Sequence, residues 1–368
     1  MNRPELDARH MARALKLAAQ GLYTTDPNPR VGCVIAQSGE VVGEGYHQRA
    51  GGPHAEVVAL AAAGERARGA TAYVTLEPCS HHGRTPPCAD ALVAAGIARV
   101  VYALRDPNPC VNGGGEATLA AAGIEVACGV MEKTARALNI GFLTRMERGR
   151  PWVRLKLAAS LDGRTALADG ESRWITGETA RADVQRLRAR SSAILTGAGT
   201  VTQDDPRLNV RLPGATRQPL RVVLDDALEI LPEARILSPP GEVVVMTASP
   251  DAVRAGRLAA VGARVETVAR GEGGLDLTAV MTRLAELEVN ELHVECGSKL
   301  AGGLLSAGLI DELVVYLAPT LLGIGARPLM AFGPLATMAE RPGFVITDTR
   351  RIGPDLKLTL RPAGAGGP

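Results

Sequence analysis

Aromatic side chains are scarce in this chain of 368 residues, because Phe, Trp and Tyr together make up only 3% of it. Apolar residues still account for 46%, so we expect hydrophobic cores built from alanine, valine and leucine. The scarcity argues against a protein that stacks single-stranded nucleic-acid bases on aromatic platforms. The length exceeds what one core commonly supports and predicts about two domains.

The chain also lacks a large excess of positive or negative charge. The formal net charge is +2, which gives no general basic field for a dedicated nucleic-acid binder. No apolar run approaches the roughly 20 residues that cross a bilayer, and the first residues carry no apolar signal segment. We therefore expect a soluble, cytoplasmic protein without a membrane partner. The six cysteines then favour metal binding or simple burial over disulfides.

The first part of the chain shows helical and strand patterns in turn. Residues 5–21 have apolar side chains at helical spacing, with Gly21 as a C-terminal cap. The next segment predicts a β-hairpin that turns at Ser38. Beyond it, strands and helices alternate, which is typical of a layered α/β domain. We expect that domain to end near residue 147, where a charged stretch begins.

The second part starts with an apolar strand near Trp152 and again alternates strands with helices, so it predicts another α/β domain. It shows no sequence repeat of the first part. The pattern over residues 341–360 predicts a terminal hairpin, and the glycine-rich end predicts a flexible tail. The expected division is 1–147, 148–361 and a tail at 362–368.

Four residues form the most specific chemical pattern. The segment "PHAE" places His54 and Glu56 in the first turn of a predicted helix, and "EPCSHHGRTPPC" supplies Cys79 and Cys88. One histidine and two thiolates fill three positions of a catalytic zinc site, which keeps its fourth position for water. A nearby carboxylate that is not a ligand can then move the proton of that water. In this order, the four residues match the signature of zinc-dependent deaminases.

Other interpretations of this pattern remain open at this point. Each motif alone occurs by chance in capped helices and polar loops. A closed structural zinc site could use His81 or His82 as its fourth ligand, which would leave Glu56 without a role. A deaminase of nucleic acids would need a basic, aromatic groove. A non-catalytic zinc-stabilised binding module would enclose the metal with four protein ligands.

The spacing of the two cysteines departs from the general deaminase signature. That signature reads P-C-x-x-C, whereas eight residues separate Cys79 from Cys88. With this spacing and with "DPNP", "LKLAASLDGRTA" and "SRWIT", the chain resembles the bifunctional riboflavin-biosynthesis deaminase/reductase family over nearly its whole length. The resemblance implies an α/β protein with an N-terminal cytidine-deaminase-like three-layer domain and a C-terminal dihydrofolate-reductase-like domain.

For the first domain, the resemblance implies one zinc ion bound by His54, Cys79 and Cys88, with Glu56 as the proton-transferring residue. An arginine in a loop suits a phosphate, and asparagine offers donors and acceptors to the edge of a base. Without the resemblance, the two asparagines would be interpreted as turn residues, since both precede proline. The residues implied around the phosphoribosylated pyrimidine are Asn28, His47, Arg84, Asp106 and Asn108.

The second domain carries weaker motifs. The turns in "LTGAGTV" and "VECGSKLAGG" each follow an apolar strand, but glycine turns end many strands and no G-x-G-x-x-G is complete. The resemblance implies NADPH as the hydride donor. The residues it implies are, for the dinucleotide, Ala158, Trp174, Thr200, Asp204, Gly297, Ser298, Lys299, Leu300, Ala301, Gly302 and Gly303, and, for the substrate, Ser172, Arg188, Leu208, Arg211 and Glu295.

One position departs from that family. A small hydroxyl residue often follows the aspartate that corresponds to Asp225, but here Asp226 places a carboxylate that we expect to disfavour a 2′-phosphate. The resemblance implies deamination of 2,5-diamino-6-(5-phosphoribosylamino)pyrimidin-4(3H)-one, followed by NADPH-dependent reduction of 5-amino-6-(5-phosphoribosylamino)uracil to its ribityl derivative. We expect small-molecule substrates, no nucleic-acid partner, and a homo-oligomer that is a dimer or tetramer.

Overall fold

A computed structural model describes residues 2–80 and 86–364. The chain divides between Gly149 and Arg150 into two compact units, which are described separately below. The predicted tail was to begin at Pro362, but Pro362 is the last residue of the final strand. Residues 365–368 lie outside the described part of the chain. Within the described segments, no helix combines the length and the apolar character needed to cross a membrane.

The first unit alternates strands with helices, as the sequence pattern predicts. Two helices near its end, α5 and α6 below, were not identified from the sequence. The elements are α1 (Arg3–Ala18), β1 (Gly32–Gln37), β2 (Glu40–Tyr46), α2 (Ala55–Ala63), β3 (Thr71–Val74), α3 (Cys88–Ala94), β4 (Arg99–Tyr102), α4 (Gly114–Ala121), β5 (Glu125–Cys128), α5 (Glu132–Leu138) and α6 (Ile140–Arg148).

These strands form one sheet in the order β2-β1-β3-β4-β5. Strand β1 is antiparallel to β2 and β3, while β3, β4 and β5 run parallel. Alternate residues of β1 point to opposite faces. Cys33 and Ile35 pack in the core that contains residues of α2, α3 and α4, and Val34 and Ala36 pack with residues of α1, α5 and α6. This confirms the expected three-layer arrangement.

The turn of the first hairpin is confirmed, but the predicted helix cap is wrong. Ser38 and Gly39 have φ values of 52° and 84°, as a two-residue hairpin turn requires. Helix α1 ends at Ala18, and a single 3₁₀ turn follows it. A Cβ atom at Gly21 would lie 2.9 Å from the carbonyl oxygen of His47. Close backbone approach, not capping, therefore explains the glycine.

The second unit is larger and contains a mixed sheet. Its elements are β6 (Trp152–Ser160), β7 (Arg164–Ala166), α7 (Glu178–Arg190), β8 (Ala193–Gly197), α8 (Ala198–Asp204), β9 (Leu220–Leu224), β10 (Val243–Thr247), α9 (Ala252–Ala260), β11 (Arg264–Thr267), β12 (Arg270–Gly271), β13 (Gly274–Leu275), α10 (Leu277–Glu286), β14 (Glu291–Glu295), α11 (Ser298–Ser306), β15 (Glu312–Ala318), β16 (Arg327–Pro328), β17 (Phe344–Ile352) and β18 (Asp355–Pro362).

Nine of these strands form one sheet in the order β11-β10-β9-β8-β14-β6-β15-β18-β17. The seven from β11 to β15 run parallel, and the expected terminal hairpin of β17 and β18 adds two antiparallel strands at one edge. Helices cover both faces, since residues of α10 and α11 pack on one side and residues of α7 and α9 on the other. Parallel strands end at a common edge, where ligands bind in open α/β sheets.

Candidate active sites

The three predicted zinc ligands lie close together near the starts of two helices in the first unit. His54 is the N-cap of α2, Cys88 is the first residue of α3, and Cys79 lies in the loop after β3. The Nδ1 atom of His54 lies 3.2 Å from Sγ of Cys88 and 3.6 Å from Sγ of Cys79. All three ligand atoms lie within 4.8 Å of one another.

This separation fits zinc. Zn–S bonds of about 2.3 Å and Zn–N bonds of about 2.0 Å in tetrahedral geometry place neighbouring ligand atoms roughly 3.5–3.8 Å apart. The loop holds the sulfurs in place, because the backbone N–H of Cys88 donates to Sγ of Cys79 at 3.3 Å. Among the described residues this is the single cluster with such a donor set. The alternative fourth ligands, His81 and His82, lie outside the described residues.

The sulfur atoms are already biased toward metal binding. A hydrogen bond from the Cys88 thiol lowers the pKa of Cys79 to about 4, and the same bond, together with burial, raises the pKa of Cys88. A hydrogen bond with Cys79 raises the pKa of His54. One sulfur thus carries the negative charge and the other retains the proton, which a bound metal would displace.

Glu56 lies in the first turn of α2 and is 3% exposed. Burial raises the pKa of its carboxyl group to about 7, and the negative charge on Cys79 acts in the same direction. Its carboxyl group also forms a hydrogen bond with Cys88. The geometry therefore places a protonatable carboxyl group directly beside the three ligands without using it as one of them.

Two residues implied for substrate binding contact each other beside this cluster. Asn28 donates through Nδ2 to Nε2 of His47 at 3.1 Å, and Nδ1 of His47 donates to the carbonyl oxygen of Pro53 at 2.9 Å. The His47 ring packs edge-on against the ring of His54, with 5.4 Å between centroids. Both ring nitrogens of His47 form hydrogen bonds, so the ring fixes the orientation of the Asn28 carboxamide. The carboxamide oxygen of Asn28 accepts no hydrogen bond from the described residues.

The other two described substrate residues lie in a loop that depends on Glu77, which the sequence analysis missed. Four backbone N–H groups donate to the Glu77 carboxylate at 3.1–3.2 Å, namely those of Asp106, Gly113, Gly115 and Glu116. Glu77 is 3% exposed and thereby fixes both the loop and the start of α4. Its position directly before Pro78 and Cys79 was the signal available in the sequence.

Within this loop, Asp106 accepts the N–H of Asn108 at 2.8 Å, and Asn108 accepts the N–H of Cys110 at 3.1 Å. Asn108 is thus a turn residue, as its place before proline indicated. Its side-chain nitrogen donates no hydrogen bond to the described residues. Burial raises the pKa of Asp106 to about 6, with further contributions from the Glu77 and Cys79 charges. Arg84, the fifth implied residue, lies outside the described residues.

In the second unit, Arg188 and Glu295 form a bidentate ion pair. Arg188 Nε donates to Oε1 of Glu295 at 2.6 Å and Nη2 donates to Oε2 at 3.0 Å. Nη1 of Arg188 donates to the carbonyl oxygen of Asn209 at 3.2 Å. This contact brings the loop that carries Leu208 and Arg211 to the end of β14. Although Arg188 lies in a helix rich in charged residues, it is buried, with 8% exposure.

A half-buried lysine and a buried histidine also lie beside Glu295 and were not predicted. Lys156 is the register partner of Glu295 on β6, with Nζ 4.0 Å from Oε2. Nε2 of the fully buried His293 lies 3.2 Å from Oε1. Burial alone would raise the pKa of Glu295, but Arg188, His293 and Lys156 hold it well below its usual value. Polar residues inside the apolar strands "RLKLAAS" and "ELHVECG" were the overlooked signal.

The glycine turns at the ends of β8 and β14 lie side by side. A Cβ atom at Gly297 would lie 3.9 Å from Oγ1 of Thr200, and one at Gly197 would lie 3.5 Å from Cδ2 of Leu300. Gly297 is the N-cap of α11 and no side chain caps it, so the first backbone N–H groups of α11 remain available to an anion. This surface fits the phosphates of a dinucleotide.

Not every residue of the implied cofactor run lies at this surface. Ala301 and Gly302 are buried in the part of α11 that packs on the sheet. A Cβ atom at Gly302 would come within 1.7 Å of the carbonyl oxygen of Ala331. Packing therefore accounts for this glycine. Gly303 likewise faces the side chain of Leu277, at 3.4 Å from its added Cβ.

The remaining residues lie on neighbouring segments. Ala158 is in β6 and Ser172 lies between β7 and α7. Trp174 is 69% exposed, with the Arg181 guanidinium 4.4 Å from its ring centroid. Arg173 donates to the carbonyl oxygen of Asp204, which ties the Ser172–Trp174 segment to the end of α8.

Comparison with known families divides the chain in the same two parts. Residues 4–104 match the cytidine and deoxycytidylate deaminase zinc-binding region. Residues 151–358 match the RibD C-terminal domain. The riboflavin biosynthesis protein RibD of Escherichia coli is 53% identical over 366 residues, which cover 96% of this chain and 99% of that protein. RibD of Haemophilus influenzae is 47% identical, covering 97% and 98% respectively.

Solved structures agree with these matches. Acinetobacter baumannii RibD is 46% identical and superposes with a TM-score of 0.92 over 98% of this chain and 100% of that chain. A diaminohydroxyphosphoribosylaminopyrimidine deaminase/5-amino-6-(5-phosphoribosylamino)uracil reductase from Thermotoga maritima is 34% identical, with a TM-score of 0.85 over 98% and 100% of the two chains. The similarity thus extends over both units.

Proposed function

Because this chain belongs to the RibD family of riboflavin-biosynthesis proteins, we propose that the residues described above carry out the two reactions of that family. The protein is a bifunctional enzyme with a cytidine-deaminase-like unit that binds zinc and a dihydrofolate-reductase-like unit that uses NADPH. It deaminates 2,5-diamino-6-(5-phosphoribosylamino)pyrimidin-4(3H)-one and then reduces 5-amino-6-(5-phosphoribosylamino)uracil to the ribityl product. We assign the first reaction to the unit that ends at Gly149.

For the deaminase, His54, Cys79 and Cys88 hold the zinc ion in this proposal. Bound zinc supplies an acidified water as the nucleophile. Glu56 takes the proton released at this step and delivers it to the amino group of the pyrimidine, which leaves as ammonia. The Asn28 carboxamide, oriented by His47, and the loop that Glu77 fixes provide hydrogen-bonding groups for the pyrimidine. Arg84 is proposed to bind the phosphate of the ribosyl arm.

For the reductase, bound NADPH would supply a hydride to C1′ of the ribosyl arm, which forms a C=N bond with the 6-amino nitrogen once the sugar ring opens, so that reduction gives the ribityl chain with its C–N bond intact. Arg188 is committed to Glu295 through two hydrogen bonds, so we assign it to orienting that carboxylate. Arg211 is the better partner for the substrate phosphate, because it is exposed and its Nη1 donates to a neutral group, Oδ1 of Asn209, at 3.2 Å. We assign Glu295 and Lys156 to the reacting sugar and the fully buried His293 to orienting Glu295, whose Oε1 lies 3.2 Å from Nε2 of His293.

The observation that carries the deaminase proposal is Glu56, buried beside three zinc ligands and not needed as a fourth. We expect Glu56→Gln to retain one zinc ion and to lose deamination by about a hundredfold or more, which is typical for loss of a general acid–base group. Ammonia release from the diaminopyrimidine and NADPH oxidation are followed together, with the metal content measured on the same sample. NADPH oxidation with the deaminated substrate should stay unchanged in this variant.

Near-normal ammonia release from Glu56→Gln would contradict the proposed role. Loss of zinc from that variant would instead show that Glu56 is a ligand. We further propose a cytoplasmic enzyme that assembles as a homo-oligomer, which sedimentation analysis of the purified chain can test. A monomer at assay concentration would contradict the oligomer.

A further inference from the structure

The end of strand β9 lies beside the glycine turn of β8. Gly197, the last residue of β8, is the register partner of Leu224, the last residue of β9. Asp226 follows two residues later, so it lies at the same edge of the sheet as the proposed dinucleotide surface. Neither Asp226 nor its contacts are used by the two reactions described above.

Asp226 is held in place from three sides. Its Oδ2 accepts a hydrogen bond from Nη1 of Arg270 at 2.8 Å. Its carbonyl oxygen accepts the Thr247 hydroxyl at 3.1 Å, and the next carbonyl, of Ala227, accepts Nη1 of Arg254 at 3.1 Å. The other carboxylate oxygen, Oδ1, is shielded from solvent and has no hydrogen-bond partner among the described residues. A buried acceptor without a donor is costly and indicates a missing partner.

The substrate cluster fixes the direction of the dinucleotide, provided that the proposed function is right. Glu295 and Lys156 lie on β14 and β6, so the nicotinamide must lie over those strands. The phosphates fit the turns at the ends of β8 and β14. The adenosine half then extends in the opposite direction along the sheet, over β9 and β10, where the Asp226–Arg270 pair lies.

A carboxylate and a guanidinium recognise different forms of the adenosine ribose. A carboxylate accepts a hydrogen bond from a free 2′-hydroxyl, as in NADH, whereas a guanidinium pairs with a 2′-phosphate, as in NADPH. We propose that Asp226 and Arg270 together form the ribose-recognition site, in which Arg270 binds the 2′-phosphate of NADPH and Asp226 competes for Arg270 and accepts the 2′-hydroxyl of NADH. The enzyme accordingly binds both dinucleotides, with only a modest preference for NADPH.

Two substitutions separate these roles in the full-length protein. Arg270→Gln should weaken NADPH binding by about tenfold or more, since hydrogen bonds to charged groups contribute about 1.5–3 kcal/mol, and should leave NADH binding within about twofold. Asp226→Ser should strengthen NADPH binding by up to about tenfold and weaken NADH binding. Dissociation constants are measured by nicotinamide fluorescence, and adenosine 2′,5′-bisphosphate and adenosine 5′-monophosphate are compared as competitors to localise the effect to the adenosine half.

The matched control is Arg350→Gln, which removes another Arg–Asp pair of 2.8 Å from the outer strand β17. It should change neither affinity. If Arg270→Gln leaves the NADPH-to-NADH ratio unchanged while the wild-type protein binds both dinucleotides, the inference fails and the reductase proposal stands. If the wild-type protein binds neither dinucleotide, the cofactor assignment itself is wrong and this inference fails with it.

Discussion

Glu56 in the first unit and Glu295 in the second are both shielded carboxyl groups, yet their pKa values move in opposite directions. Burial raises the pKa of Glu56 to about 7, whereas Arg188, His293 and Lys156 outweigh burial and hold the pKa of Glu295 well below its usual value. Among the described residues, no lysine or arginine forms an ion pair with Glu56, whereas Glu295 pairs with Arg188 and Lys156. We therefore expect a metal to complete the first site, while the second holds its carboxylate beside two protein cations, Arg188 and Lys156, before any ligand binds.

The contrast between the two sites predicts that the first depends on a bound metal and the second does not. Cys79→Ala and Cys88→Ala should each lose bound zinc and with it essentially all deamination, because two remaining ligands hold the ion poorly. NADPH oxidation with the deaminated substrate should continue. Metal content by mass spectrometry and the two assays check this, with the exposed Cys128 of the same unit replaced by alanine as the control.

A full zinc equivalent in either variant would show that the ligand set is wrong. His81 and His82 would then become candidates for the missing ligand. Loss of both activities in Cys79→Ala would contradict the assignment of the two reactions to separate units.

The second unit should depend on its internal charge balance for stability. Glu295→Ala leaves Arg188 and Lys156 buried without a counter-charge and should destabilise this unit by about 3 kcal/mol or more. Glu56→Gln should cause no such loss, since a buried carboxyl group with a raised pKa is replaced by a neutral group. Both tryptophans, Trp152 and Trp174, belong to the second unit, so tryptophan fluorescence during denaturation reports on that unit alone.

A larger loss of stability in Glu56→Gln than in Glu295→Ala would contradict the proposed difference between the two glutamates. The double variant Glu295→Ala/Arg188→Ala should recover part of the stability lost in Glu295→Ala, because it removes one of the uncompensated charges. Full additivity of the two losses would show that the ion pair is not coupled.

A smaller effect is expected from Glu77, which positions a loop of the first unit and does not contribute to the metal cluster. Glu77→Gln replaces one acceptor oxygen with an N–H₂ group that faces backbone donors, so the loop carrying Asp106 and Asn108 should shift. We expect the KM of the deaminase to rise by about tenfold, with kcat less affected and the zinc content unchanged. The control is Glu116→Gln, a half-buried residue at the same helix start whose carboxylate pairs with Arg105 at 2.6 Å and accepts the Tyr102 hydroxyl at 2.5 Å. An unchanged KM would contradict the positioning role of Glu77.

The smallest effect concerns acid stability of the first unit. The hydrogen bond from Arg99 lowers the pKa of Asp7 below its ordinary 3.8, against the effect of burial. A carboxyl group with a lowered pKa contributes stability above its unfolded pKa and loses it as the pH falls through the folded pKa. Asp7→Asn should therefore reduce stability at pH 5 and flatten its decline toward pH 3.

This acid effect is measured by circular dichroism at matched zinc content, with tryptophan fluorescence as the reference for the second unit. Glu125→Gln is the control, because Glu125 also contacts Arg99, at 3.2 Å, but is 56% exposed. A decline with pH as steep in Asp7→Asn as in the wild type would rule out a contribution from this pair.

The zinc ligands were predictable from the sequence because they lie in short segments at helix starts. His54 and Glu56 are two residues apart, and Cys79 and Cys88 are nine residues apart, so the members of each pair are close along the chain. The layered α/β class was predictable for a similar reason, since strand and helix periodicities are local properties of the chain.

The charged cluster of the second unit could not be predicted from local sequence patterns. Lys156, Arg188 and Glu295 come from β6, α7 and β14, and no local pattern relates them. Only the order of strands in the sheet makes Lys156 the register partner of Glu295 and turns a helix arginine inward. Their residue types are also ordinary on protein surfaces, and although Lys156 and Glu295 stand out inside apolar strands, nothing in the sequence relates them to Arg188.

The sequence by itself thus determined the two α/β units and indicated the residues proposed as metal ligands, because periodicity and short spacing act over a few residues. Tertiary structure decided which carboxylates are paired with cations and which remain unpaired. That property depends on burial and on partners more than 100 residues away, such as Arg188 for Glu295 across 107 positions. Desolvation and ion pairing arise only after the chain has folded, and they shift the pKa values of Glu56 and Glu295 in opposite directions.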